Sequence, residues 1–590
     1  MITHVALWRR LFAAFFIFTV PLNAIESLPA GSALAYEAGT QGVLGPDRSS
    51  TNAGAFQNLH AALSVMQEKY FSLWLGKWTT AIDWTAAVTG THLSATLRSL
   101  SNSFSYTMPG TFDKTQKLDV DAQVVENEIN KYFGQVAAYY FGQDHFAIRM
   151  QAFDDMLWVV LGWLESVQLI TEHSKKHYPD HGDGLGNWHA VQFIPSFAHR
   201  ARVFYELAEQ GWDWKLCGGG MTWNPRLLPY KNAITNQLFI SASISMYLNF
   251  PGDDNCSPFL RATKQDQAFH DEETLAECSE SSDGPIYDPV YLTNAINGYD
   301  WLANSGMLND QGLYTDGFHI KGYEQNHSKT ECDERNEMVY TYNQGVILSG
   351  LRGLWEATGN LSYLEDGHEL IRNVILATGW DARSLSKMPS FTSQYRPKSW
   401  PRASNDGWAG LGEDGILTEL CDPSATCSQD SQTFKGIFFH HLTAFCEPLP
   451  RQPPRKGQTH YASLELYTLH QRSCSMYVPW VTHNAQAALG TRDNEGRFGS
   501  WWALGLPDHH GSFAETVIPN HALDYRNDAS LLTSRKFLSH IPSILHAGLR
   551  EHPGQQANDG NDRGRGRTIE TQGGGVAVVR AAYELSRGNR

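Results

Sequence analysis

A spacing of three and four between apolar residues recurs along most of the chain, and it restricts the fold to one built from amphipathic helices. Phe56–Trp74 carries Leu59, Leu63, Met66 and Tyr70 at this spacing, and Ala122–Phe141 carries Val125, Ile129, Phe133, Val136 and Tyr140. The same repeat runs through Asp154–Thr171, Phe193–Gln210, Ala233–Asn249, Val290–Asn304, Gln344–Thr358 and Tyr363–Ala377. It continues in Phe434–Phe445, Ser463–Arg472, Val478–Leu489 and Gly574–Ser586. Few segments alternate as strands do. About a dozen sequential helices form either a solenoid or a closed toroid. A solenoid repeats at a fixed period, and none is visible. The spacing therefore predicts an all-α toroid of six helical hairpins, with irregular loops at one mouth. The long stretches Pro251–Pro289, Arg383–Gly407, Glu447–Gln458 and His552–Arg567 read as lids or insertions rather than linkers. Residues 56–590 are accordingly read as a single domain.

The N-terminus reads as a targeting segment. Arg9 and Arg10 precede an apolar run, Leu11 to Leu22, that is short for a bilayer span, and Ala24 follows at a cleavage point. Residues 1–24 are thus expected to be a signal peptide and 25–55 a poorly ordered segment; Ala33-Leu34-Ala35 offers a second cleavage point. Eight cysteines without a CxxC pair fit an oxidising compartment, and Cys421 and Cys427 are near enough to close a small loop. Asn255, Asn326 and Asn360 begin glycosylation sequons. A polar end, Glu584 to Arg590, lacks the tail of a lipid-anchor signal. A secreted protein follows, free or associated with a cell wall. The net charge of −16, with no basic stripe, excludes nucleic acid and anionic lipid as partners. Neither membrane insertion nor a stable oligomer is expected. The 18 Trp, 24 Tyr and 28 Phe suit neutral, ring-shaped ligands as well as a large core.

Chemistry concentrates at Phe153-Asp154-Asp155-Met156-Leu157-Trp158, where two acids open a strongly apolar helix. Aspartates there can simply cap free N–H groups and meet the positive helix end. They can also hold Mg²⁺ for diphosphate chemistry, although Trp158 stands where a DDxxD motif has its third acid. Finally, they can serve as the two carboxyls of a retaining glycosidase, one ionised and one protonated, their repulsion separating the two pKa values.

Further segments bear on this choice: Gly218-Gly-Gly-Met-Thr-Trp223, Tyr230-Lys-Asn-Ala-Ile-Thr-Asn236, Tyr340-Thr-Tyr-Asn-Gln-Gly345, Leu354–Gly359 and Phe434-Lys-Gly-Ile-Phe438. With the acid pair, and in this order from about residue 56 onward, the chain resembles glycoside hydrolase family 76, the α-1,6-mannanases and related fungal wall enzymes. The resemblance implies an (α/α)6 barrel. It also implies Asp154 as nucleophile and Asp155 as general acid/base, roles that the residues alone leave interchangeable. Substrate-binding candidates are Trp158, Trp223, Lys231, Asn232, Asn236, Asp316, Asn343, Gln344 and Lys435. Each also has a plain structural use as core, cap or exposed charge. The resemblance implies a retaining endo-α-1,6-mannanase acting on mannan; a transglycosylase on the same site and a non-catalytic mannan-binding protein stay open. No cofactor or metal is expected: there is no HExxH motif, and His440-His441 and His509-His510 are the only adjacent histidines. A GxSxG elbow is likewise lacking.

Overall fold

The computed structural model describes residues 50–109, 117–179, 188–253, 286–381, 411–507, 518, 520–528 and 559–587. Twelve helices build its frame: α1 Ser50–Tyr70, α2 Asp83–Ser103, α3 Val120–Gly142, α4 Phe153–His177, α5 Ile194–Glu209 and α6 Ala233–Asn249. They continue as α7 Pro289–Asn304, α8 Tyr342–Thr358, α9 Ser362–Ala377, α10 Gln429–Phe445, α11 Val478–Gly490 and α12 Ile569–Arg587. Each even-numbered helix packs against the next even-numbered one, and α12 returns to α2, so six helices close a ring. The odd-numbered helices pack on the outside of that ring. This is the (α/α)6 barrel, with inner helices such as α6 and α8 buried almost all round.

Ring closure requires close approach of helix backbones. A Cβ added at Gly436 of α10 would lie 2.8 Å from the Cα of Gly574 in α12. Small residues at this crossing let the two inner helices touch.

Two helices depart from the periodicity. The inner helix α2 was not anticipated, because its interior-facing residues are largely Ser and Thr: Thr85, Thr89, Thr91, Ser94, Thr96, Ser99 and Ser101 are all buried. Four of these hydroxyls bond back to their own helix, Ser99 Oγ to Ala95 O at 3.2 Å among them. Thr89 Oγ1 donates to Thr85 O at 2.8 Å, Thr91 to Ala87 O at 3.0 Å and Thr96 to His92 O at 2.7 Å. Conversely, the segment expected at Ser463–Arg472 does form a helix, Leu464–Ser475, but it is an addition outside the twelve. Helix α1 starts at Ser50, ahead of the Phe56 read from the periodicity.

Short antiparallel strands gather between helices. Tyr230–Asn232 (β1), Gly317–His319 (β2) and Glu334–Asn336 (β3) form one sheet, in which Lys231 faces Phe318 and Gly317 faces Asn336. This sheet leads directly into α6. Disulfides join Cys217 to Cys332, Cys421 to Cys427 and Cys446 to Cys474. The expected signal peptide, residues 25–49, Cys256, Cys278, Asn255, His509-His510 and most of the Pro251–Pro289 and Arg383–Gly407 stretches lie outside the described residues.

Candidate active site

Asp154 and Asp155 stand in the first turn of the inner helix α4. Part of their work is capping. The Ala152 N–H donates to Asp155 Oδ2 at 3.1 Å, and the Asp155 N–H donates to Asp154 Oδ1 at 3.1 Å. The turn is pinned from the neighbouring loop as well: the Phe153 N–H donates to Trp223 O at 3.0 Å, and the Trp223 N–H to Tyr230 O at 2.9 Å. The glycine-rich segment, strand β1 and the acid pair are thereby one connected scaffold. Asp154 is buried and Asp155 half-buried.

Three other elements bring groups to the pair. From α2 comes Trp84, whose ring stacks on Trp158 with centroids 5.8 Å apart and whose indole N–H donates to Asp430 Oδ1 at 3.0 Å. Asp430 opens the inner helix α10. From residues 520–528 comes Arg526, its guanidinium carbon 5.2 Å over the ring of Trp223. Burial opposes that charge, but Tyr342, Asp316, Asp154 and Asp430 together hold the guanidinium firmly protonated. Facing the same guanidinium is Asp316, buried just before β2, whose Oδ2 accepts the Tyr230 hydroxyl at 2.5 Å and a hydrogen bond from Asn336 Nδ2 at 3.3 Å.

The two central carboxyls differ in environment. Burial pushes both upward. For Asp154 this is countered by Arg526, by backbone N–H groups and by the Trp223 indole. For Asp155 it is reinforced by the negative charge of Asp154 and, more weakly, of Asp430, while the Ala152 N–H and Arg526 oppose it. The first proton therefore leaves Asp154, and Asp155 keeps its own to higher pH.

The remaining residues singled out from sequence divide into two groups. Asn343 is fully buried beside Asp316, whose carboxylate its side-chain amide helps to hold ionised. Asn232 caps α6 by accepting the Thr235 N–H at 3.2 Å, while its Nδ2 is unpartnered among the described residues. Lys231, by contrast, is fully buried with its ammonium on the carbonyl oxygens of Gly220 and Asp213, and burial lowers its pKa to about 8. Gly220 has φ +83, and a Cβ there would strike the Trp301 indole at 2.6 Å, so this loop admits only glycine. Asn236 accepts the Met221 N–H at 2.7 Å and donates to Met221 O at 3.2 Å. Gln344 accepts the Tyr314 N–H at 2.8 Å and donates to Tyr314 O at 2.9 Å. Lys435 pairs with the buried Asp422 and lies 5.3 Å from the Trp502 ring. The donors of these four residues are thus engaged by the protein itself.

Sequence reasoning missed Trp84, Asp430, Tyr342 and Arg526. Asp430 lies four residues before the Phe434-Lys-Gly segment, at the start of the same helix, and the helix boundary would have exposed it. Arg526 sits in a segment with no periodicity and no motif. A histidine–cysteine group, His368, His470 and Cys474, has its ligand atoms within 4.8 Å of one another. Cys474 is joined to Cys446, however, so its sulfur is not a free thiolate.

Residues 287–475 match the family model described as glycosyl hydrolase family 76; the acid pair lies outside that match. Among curated proteins, the chain is 25% identical over 289 residues to mannan endo-1,6-alpha-mannosidase DFG5 of Saccharomyces cerevisiae. That match spans 47% of this chain and 44% of the relative, less than half the length of either. Among solved structures, an inactive variant of the α-1,6-mannanase GH76A of Salegentibacter sp. HEL1_6, in complex with α-1,6-mannotriose, is 14% identical, with a TM-score of 0.46 and coverage of 90% of this chain and 99% of that one. Dfg5 from Chaetomium thermophilum, in complex with glucosamine, is 14% identical, with a TM-score of 0.47 and coverage of 92% of each chain.

Proposed function

We propose that the chain, whose residues 287–475 match the model of glycosyl hydrolase family 76, is a member of that family and a secreted, retaining endo-α-1,6-mannanase. The observation that carries this reading is the unequal treatment of two adjacent acids, one buried and one half-buried. Asp154 faces a guanidinium and an indole, whereas Asp155 faces two carboxylates. A double displacement needs one carboxylate and one carboxylic acid at the same bond.

Asp154 attacks the anomeric carbon while Asp155 gives its proton to the departing glycosidic oxygen. The result is a glycosyl ester on Asp154 and an anionic Asp155. Water then enters, loses a proton to Asp155 and attacks the same carbon, and the ester bond breaks to restore the Asp154 carboxylate. Trp223, Asp316, Asn232 and Asn343 are the groups we assign to holding sugar; the unpartnered Nδ2 of Asn232 donates to a sugar hydroxyl in this reading. A neutral polysaccharide suits a chain of charge −16. Three disulfides fit an oxidising compartment, and no helix of the described residues is long and apolar enough to cross a membrane.

Incubating the full chain with linear α-1,6-mannan tests the reading, with shorter oligosaccharides as the expected product. Asp154→Asn and Asp155→Asn should each lower turnover by about 10³-fold or more while the melting temperature stays near wild type. Products longer than the substrate would move the activity to transfer. Binding without any product, or near-wild-type rates in both variants, would reject it.

A further inference from the structure

We propose that Arg526 is a positioning residue for this reaction: the strap of residues 520–528 carries its guanidinium to the acid pair, where it decides which carboxyl is the anion. The inference rests on the double-displacement reading.

The strap is tied to three separate elements. At the end of β3, the Leu523 N–H donates to Asn336 Oδ1 at 2.8 Å and Asn336 Nδ2 donates to Leu523 O at 3.0 Å, and just before α8 the Tyr340 hydroxyl donates to Asp524 Oδ1 at 2.8 Å. At the N-cap of α10, the Ser428 N–H donates to Asn527 Oδ1 at 2.8 Å. Against the sheet, the Tyr525 ring packs at 6.0 Å from Tyr230 and 5.8 Å from His319. Asp524 also folds the strap on itself by accepting the Asn527 N–H at 3.1 Å. These bonds fix the backbone on both sides of Arg526, so the cation is held in place before substrate arrives.

Its landing point is the scaffold of the acid pair. The guanidinium lies over Trp223, the same residue whose carbonyl receives the Phe153 N–H at the start of α4. Several other titratable groups face the pair. Tyr342 comes from α8 and Asp430 from α10, while Asp316, bonded to Tyr230, faces the guanidinium itself. Arg565 approaches Asp430, and Asp524 approaches Asp316. Against this mostly acidic and phenolic wall, a fixed cation beside Asp154 lets one anion form without a second. Once Asp154 is esterified its charge is gone. The same guanidinium then faces the Asp155 carboxylate, which must accept the proton of water. One cation in one position serves both half-reactions.

The experiment follows kcat/KM against pH on a linear α-1,6-mannan oligosaccharide for wild type, R526Q, R526M and R526K, with melting temperatures alongside. Removing the cation in R526Q or R526M should move the acidic limb upward by about one to two pH units, since an opposite charge at this range lowers a carboxyl by that order. R526K keeps a charge and should return the limb most of the way. An acidic limb unmoved in R526Q and R526M, or one displaced equally in R526K, overturns the assignment. So does failure of all three variants to fold, which would make Arg526 purely architectural. Cleavage by wild type and its loss in Asp154→Asn would still uphold the proposed reaction in those cases.

Discussion

Asp155 illustrates how one residue's chemistry depends on a residue far away in sequence. Its own helix start supplies Asp154 as a neighbour, but the second negative charge comes from Asp430, held by the Trp84 indole at 3.0 Å. That charge disfavours ionisation of Asp155 and so, in the proposed reaction, keeps its proton available for the leaving oxygen. Replacing Asp430 with Asn removes the repulsion, and the pKa of Asp155 must fall. The basic limb of the pH–rate profile should then shift to lower pH in D430N, with the acidic limb changing less. A basic limb left in place would separate Asp430 from the proton donor. Asp154 and Asp155 were legible in sequence because adjacency on one helix start is a local pattern. Asp430 and Arg526 were not, because what makes them significant is convergence of helix and strap on a point that only the closed ring defines.

At the scale of elements, the barrel repeatedly uses a side-chain amide near the start of an inner helix to fasten a preceding loop. Asn236 in α6 grips Met221, and Gln344 in α8 grips Tyr314, each through a donor and an acceptor on one backbone residue. Gln572 in α12 does related work, accepting the Phe498 N–H at 3.1 Å and donating to Ala62 O at 2.9 Å. Removing such an amide orphans buried backbone groups. Asn236→Ala is therefore expected to cost about 2–4 kcal/mol, as two or three buried hydrogen bonds are lost. Thermal or denaturant unfolding measures this, and a loss well under 1 kcal/mol would show the loop to be held by other means. In sequence Asn236 and Gln344 looked like sugar ligands, since composition cannot tell a polar group facing a cleft from one facing a backbone. Helix α2 was hidden for a related reason. Several of its Thr and Ser hydroxyls return to carbonyls of their own helix, so they are buried like small apolar residues while reading as polar.

For the whole molecule, the ring of even-numbered helices converts a long chain into a site. Residues from α4, the β-sheet, α8, α10 and the 520–528 strap meet only because α12 packs back on α2. The six-hairpin architecture could be read from repeated helical spacing without an internal repeat. Assigning individual helices to the inner layer could not, because amphipathicity fades in elements buried on every side. The account's central claim is that Asp154 forms the covalent bond. A mechanism-based fluorinated mannoside, which forms the glycosyl ester quickly and releases it slowly, followed by peptide mass mapping, tests this directly. The account predicts a single mannosyl adduct on Asp154. An adduct on Asp155, or turnover with inversion and no adduct, would contradict it.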